Sequence, residues 1–235
     1  MDELTTAFVG AAALILGADP ALLEIVALSL LVSLSAVTIA ALLGLPLGAV
    51  LAALRFPGRR VMIVAVNALM GLPPVVVGLF IYLLLSNSGP LGALGLLYTP
   101  SAMVIAQTVL VMPIVVALAH ELLSSLHEEY DELFRSLGLR PAAVLATLLW
   151  EGRFGLVTVL LAGFGRAIAE VGAVMIVGGN IAHLTRVMTT AIALETAKGE
   201  IAQALALGLV LLVLAFTVNL LVALFRQAAM RLAYG

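Results

Sequence analysis

Three groups of residues have types and spacings that could do chemistry. The first is Arg166 and Glu170, four positions apart inside an apolar stretch, where one helix face would carry both. Ionisable groups at membrane depth are expensive and mark functional sites. Such a pair is either a structural ion pair at the edge of a span or part of a gate. A lone carboxylate would repel an anion, so Glu170 is read not as a direct ligand but as a group neutralised by Arg166 or acting in a gate. The second group is Asn180, Thr185, Arg186, Thr189 and Thr190, a run of amide, hydroxyl and guanidinium donors. Donors of that kind suit a polar ligand, and they equally suit a loop that docks a partner. The third is Tyr130, Glu132, Leu133, Phe134 and Gly138, within a charged insert between apolar runs. Its aromatic and aliphatic members recur at helical spacing and offer an apolar ridge. Gly138 supplies a sharp exit.

Other chemistry finds little support. Lys198 is the sole lysine, and there is no Gly-x4-Gly-Lys-Ser/Thr loop to cradle the phosphates of ATP. His-Glu-x-x-His and Gly-x-Ser-x-Gly are missing as well. His120, His127 and His183 are scattered, and no cysteine is present, so the sequence predicts no metal site and no cofactor. An enzyme built on Glu170 and His120 would need a base, an acid and a nucleophile at one depth, and no such cluster is legible. The sequence predicts no catalytic residue and no nucleic-acid partner.

The elements that must position these groups are membrane helices. The chain has 235 residues, 64% hydrophobic and 10% charged, with mean hydropathy +1.26. Soluble domains are about 45–50% apolar and about 25% charged. Continuous apolar runs, without the alternation of barrel strands, predict an all-α integral membrane bundle in one domain over residues 1–235. Five spans are expected: residues 24–54, 61–85, 100–119, 154–178 and 201–225. Residues 4–17 fall short of the roughly 20 a span needs. They predict an interfacial or re-entrant helix, or a sixth, short span, before the break at Asp19-Pro20. Pro46 predicts a kink, and Phe56-Pro57-Gly58 a tight turn. Gly71-Leu72-Pro73-Pro74 interrupts the second span, either as a packed kink or as a pore-lining break. Residues 86–99 and 179–200 are polar enough for external segments, the latter with one short helix.

The arginines give the chain a direction. Arg55, Arg59, Arg60, Arg135, Arg140, Arg153, Arg226 and Arg231 fall on one side of five spans, and Arg186 and Lys198 on the other. The positive-inside rule then puts the N-terminus outside, and the C-terminus and residues 121–153 in the cytoplasm. The Met1-Asp2-Glu3 start lacks the basic region of a signal peptide. A charged insert of this length is expected to be a loop in water, large enough to dock a partner.

Two motifs carry a family resemblance. Glu132-Leu133-Phe134, three residues, then Gly138 resembles the Glu-Ala-Ala-x3-Gly signature of ABC importer permeases, with Leu133 and Phe134 in place of the alanines. Where that signature closes on Leu-Pro, this chain has Trp150-Glu151. Residues 168–174 (IAEVGAV) and 178–192, from Gly178-Gly179-Asn180 through Thr189-Thr190, resemble molybdate, sulfate and above all tungstate permeases. The resemblance covers residues 24–225. It implies a coupling helix within residues 121–153, contributed by Tyr130–Gly138, and a homodimer around a central pore. Two cytoplasmic ATPase subunits, which hold the ATP and Mg²⁺, and an external binding protein that delivers the oxyanion are implied with it. In a secondary transporter, the rival reading, an ion gradient would drive uptake without nucleotide.

Overall fold

A computed structural model describes the backbone of residues 2–234 and the side chains of residues 5–218, Leu220, Leu221 and Leu224. The side chains of Arg226 and Arg231, used above for orientation, lie outside the described residues. Among the described residues ten α-helices follow one another: α1 (Asp2–Leu16), α2 (Pro20–Ala53), α3 (Arg59–Leu69), α4 (Pro74–Leu85), α5 (Pro100–Ser136), α6 (Pro141–Glu151), α7 (Arg153–Ile168), α8 (Gly172–Gly178), α9 (Met188–Lys198) and α10 (Ile201–Tyr234). Among the described residues there is no strand.

Where helices stop follows from proline chemistry. Proline has no N–H to donate and disfavours helical geometry in the residue before it. α2, α4, α5 and α6 all begin on a proline, the position where that missing N–H costs least. Asp19 caps α2, its Oδ1 accepting the N–H groups of Ala21 and Leu22 at 3.0 Å each. The break at Gly71–Pro73 separates α3 from α4. The turn expected at Phe56–Gly58 is present, with Gly58 at φ +87° and the Arg59 N–H donating to Phe56 O at 3.2 Å.

α2, α5 and α10 are each long and apolar enough to cross a membrane, and two bent pairs raise the count to five. The pairs are α3 with α4 and, at 71°, α6 with α7. Three boundaries differ from expectation. Residues 121–136, expected as an insert holding a short helix, continue α5 without a break, so that it runs 37 residues, about 55 Å at 1.5 Å per residue. The span expected over 154–178 ends at Ile168, and α8 follows as a separate helix. α10 continues past residue 225 to Tyr234.

The chain forms two compact units. The first comprises Met1–Ser35, Pro73–Gln107 and Ala167–Val218. Here α4 packs on α8 at a close approach: a Cβ on Gly78 would lie 2.8 Å from Ala173 Cα. Buried polar groups stitch this unit. Ser29 Oγ accepts the Met188 N–H at 2.7 Å and donates to Ile25 O at 2.7 Å, and Gln107 Nε2 donates to Ala167 O at 3.0 Å. The second comprises Ala36–Leu72, Thr108–Arg166 and Asn219–Gly235. Its core joins Ala49 and Ala52 of α2, Ala119, Leu123 and Phe134 of α5, Val144 and Leu148 of α6, and Leu156 of α7.

Candidate functional site

The charged insert is built by the end of α5, a four-residue turn and α6. Two hydrogen bonds close the turn in the pattern of a Schellman motif. The Leu139 N–H donates to Phe134 O at 3.2 Å, and the Gly138 N–H to Arg135 O at 3.1 Å. Gly138 has φ +59°, a left-handed conformation that side chains with a Cβ resist. α6 starts at once on Pro141, so two helices are reversed with little chain between them.

The expected ridge divides into two faces. Phe134 is buried, its ring 5.9 Å from Tyr130 and 6.0 Å from His127, and it belongs to the core of the second unit. Leu133 and Leu137, one turn apart, point the other way and are 51% and 61% exposed. Glu132, Gly138 and Leu139 are exposed beside them. On α6, Trp150 is 66% exposed, with the Arg153 guanidinium 4.6 Å from its ring centre. Exposed large apolar groups beside charged ones, on helices anchored by buried neighbours, form a surface suited to a protein partner. The exposure of Leu139 and Trp150 was not legible in the sequence: Leu139 lies in the turn, and Trp150 near the far end of α6.

The donor run of the first unit is placed differently from a row of free ligands. Thr185, Thr189 and Thr190 are buried, and their hydroxyls are already used. Thr185 Oγ1 donates to Gly178 O at 2.6 Å and accepts the Ile181 N–H at 2.9 Å. Thr189 Oγ1 donates to Glu170 O at 2.7 Å. Thr190 Oγ1 pairs with both the N–H and the C=O of Val187, at 3.1 and 3.0 Å. Asn180, itself at φ +50°, donates from Nδ2 to Thr190 O at 3.3 Å. Together these bonds pin the segment between α8 and α9. Asn180 Oδ1 is buried without a hydrogen-bond partner, and so is the Nε of Arg186. Arg186 lines a cavity of about 100 Å³ with Glu24, His183 and Gln203, where His183 Nδ1 and Glu24 Oε2 are 2.8 Å apart. In the loop before α5, the Tyr98 phenol is held above its ordinary pKa, first by hydrogen bonding with Tyr82 and then by burial.

Arg166 and Glu170 do not share one helix. α7 ends at Ile168, with Arg166 in its last turn, where a cation suits the negative end of the helix dipole. Glu170 is buried in the link to α8, and its Oε1 accepts the Ala173 N–H at 3.1 Å. A carboxylate there satisfies a donor that the start of a helix leaves open. No proline marks this break, only Val171-Gly172, which explains why the apolar run read as continuous.

The arrangement defines a class: a multi-pass, all-α membrane protein in which α5 runs far past the thickness of a bilayer and turns back through a short, partly apolar helix. The comparisons give the family. The family described as binding-protein-dependent transport system inner membrane component matches residues 44–231, and the chain belongs to it. A Haloferax volcanii protein named "Probable anion ABC transporter permease protein" is 43% identical over 88% of this chain and 91% of its own length. The tungstate uptake system permease protein TupB of Peptoclostridium acidaminophilum is 40% identical over 93% of this chain and 96% of its own. TupB of Campylobacter jejuni is 44% identical over 70% of this chain and 69% of its own. The resemblance read from the sequence is therefore correct, and the chain is an ABC importer permease of the oxyanion group. Its relatives are transporter subunits rather than enzymes.

Proposed function

We propose that this chain is the membrane permease of a tungstate importer, working as a homodimer with two cytoplasmic ATPase subunits and an external binding protein. The observation that carries the choice of anion is a gap in similarity. Tungstate permeases are 40–44% identical to this chain, whereas the molybdate permease of Azotobacter vinelandii and the sulfate permease of Escherichia coli are each 30% identical. The arginine distribution supports an external N-terminus and a cytoplasmic C-terminus.

In this reading Glu132, Leu133, Leu137 and Trp150 meet the ATPase, and Gly138 holds the turn in shape. Phe134 and Tyr130 anchor the same turn in the core of the second unit, so a push on the exposed face reaches α2 and α7 through packed side chains. Closure of the ATPases on ATP draws the two coupling segments together and opens the pore outward. The binding protein then releases its anion, and hydrolysis resets the gate. Asn180, Thr185, Thr189 and Thr190 shape the external mouth, and Arg186 supplies its positive charge. Arg166 and Glu170 act in gating, Glu170 by bracing the start of α8. ATP and Mg²⁺ belong to the partner.

Reconstitution with the ATPase and the binding protein tests this reading. Tungstate uptake is expected only with ATP, and a large excess of sulfate should not compete. Uptake by the isolated chain, or equal transport of sulfate, would overturn it.

A further inference from the structure

Within the second unit, two adjoining cavities of about 470 and 540 Å³ share His120, Ser124 and Glu128. His120, Ser124 and His127 recur at i, i+4 and i+7 along α5, which places them on one helix face. His120 Nε2, Ser124 Oγ and His127 Nδ1 are all buried without a hydrogen-bond partner in the protein. One such atom is costly to leave unmet. Three on one face of a cavity point to an occupant that satisfies them together. Arg55 and Arg59 line the smaller cavity beside them. Arg59 is fixed in place, Nε donating to Leu51 O at 2.6 Å and Nη2 to Ala52 O at 3.4 Å. Of the carboxylates on the smaller cavity, Asp131 is committed to Arg135 at 2.6 Å, and Glu128 is exposed.

We propose that this face of α5, with Arg55 and Arg59, binds a phosphate-like oxyanion. Two guanidinium groups, a hydroxyl and two imidazoles are donors that a tetrahedral anion with several acceptor oxygens can engage at once. A metal ion fits less well, since the arginines would repel it and, among the described residues, no group of three or more His, Cys, Asp or Glu side chains could hold one. The anion has two sources of the same chemistry. It is either a free oxyanion or the headgroup phosphate of an anionic phospholipid, for which basic pockets between membrane helices are ordinary sites. This inference goes beyond the transport reading and does not depend on it.

The test is binding of labelled phosphate and sulfate to the full chain in nanodiscs of neutral lipid, with native mass spectrometry of retained phosphatidylglycerol as a second arm. Two separate variants, Arg55→Gln and His127→Gln, are compared with the wild type. A free-oxyanion site gives saturable binding of one anion per chain, weakened at least tenfold in either variant. A lipid site gives no such binding but retains phosphatidylglycerol in the wild type and loses it in the variants. Anion binding and lipid retention that are both absent, or both unchanged in the two variants, would overturn the proposal.

Discussion

Gly138 offers the sharpest perturbation, because its role is separable from packing. A Cβ placed there would meet nothing within 4 Å, so any penalty comes from the backbone alone. At φ +59° that penalty is about 1–2 kcal/mol for an ordinary L-residue, with β-branched side chains at the upper end. A change of about 1.4 kcal/mol is a factor of ten in an equilibrium constant. Gly138→Val should therefore deplete the competent turn and raise the apparent Kd for the ATPase by as much as about 5- to 30-fold. Asparagine tolerates the left-handed region, so Gly138→Asn should bind within about twofold of wild type. Titrating nanodisc-embedded permease with labelled ATPase would measure all three. If the valine and asparagine variants bind alike, and as tightly as wild type, the turn does not govern docking and the reasoning fails.

Three further outcomes are expected. Phe134→Ala should lower stability by about 3–5 kcal/mol in thermal or denaturant unfolding, because a buried aromatic is removed, whereas Leu137→Ala should leave stability within about 0.5 kcal/mol and weaken ATPase binding. Gly78→Val should destabilise by about 1–3 kcal/mol, since its Cβ would press on the backbone of Ala173, which cannot swing aside as a side chain can. Arg186→Gln should reduce ATP-driven tungstate uptake while assembly with the ATPase, followed by co-purification, stays intact; normal uptake would remove Arg186 from the anion path.

What the sequence revealed depended on whether the signal was local. The breaks at Asp19-Pro20 and Gly71–Pro74 were legible because proline's missing N–H acts on its own turn. The turn at Gly138 was legible too, since a left-handed residue closes it there. Hydropathy, by contrast, separates lipid from water and not helix from loop. Residues 121–153 therefore read as holding a helix separate from the third span, although that helix continues α5 unbroken to Ser136. The division of Leu133 from Phe134 across two faces needed the position of α6, which no local pattern gives. The threonines read as free donors because their acceptors, Gly178 O and Glu170 O, are backbone groups brought close only by folding. The break after Ile168 was hidden for a related reason: a buried carboxylate, not a proline, organises it.

The central claim is that the turn between α5 and α6 faces the cytoplasm, where an ATPase can grip it. The chain has no cysteine, so Ser136→Cys, at an exposed position in the last turn of α5, would give a single reporter thiol. Labelling with a membrane-impermeant maleimide should fail in intact spheroplasts and succeed in inside-out vesicles. Labelling of that thiol from outside intact spheroplasts would contradict the account.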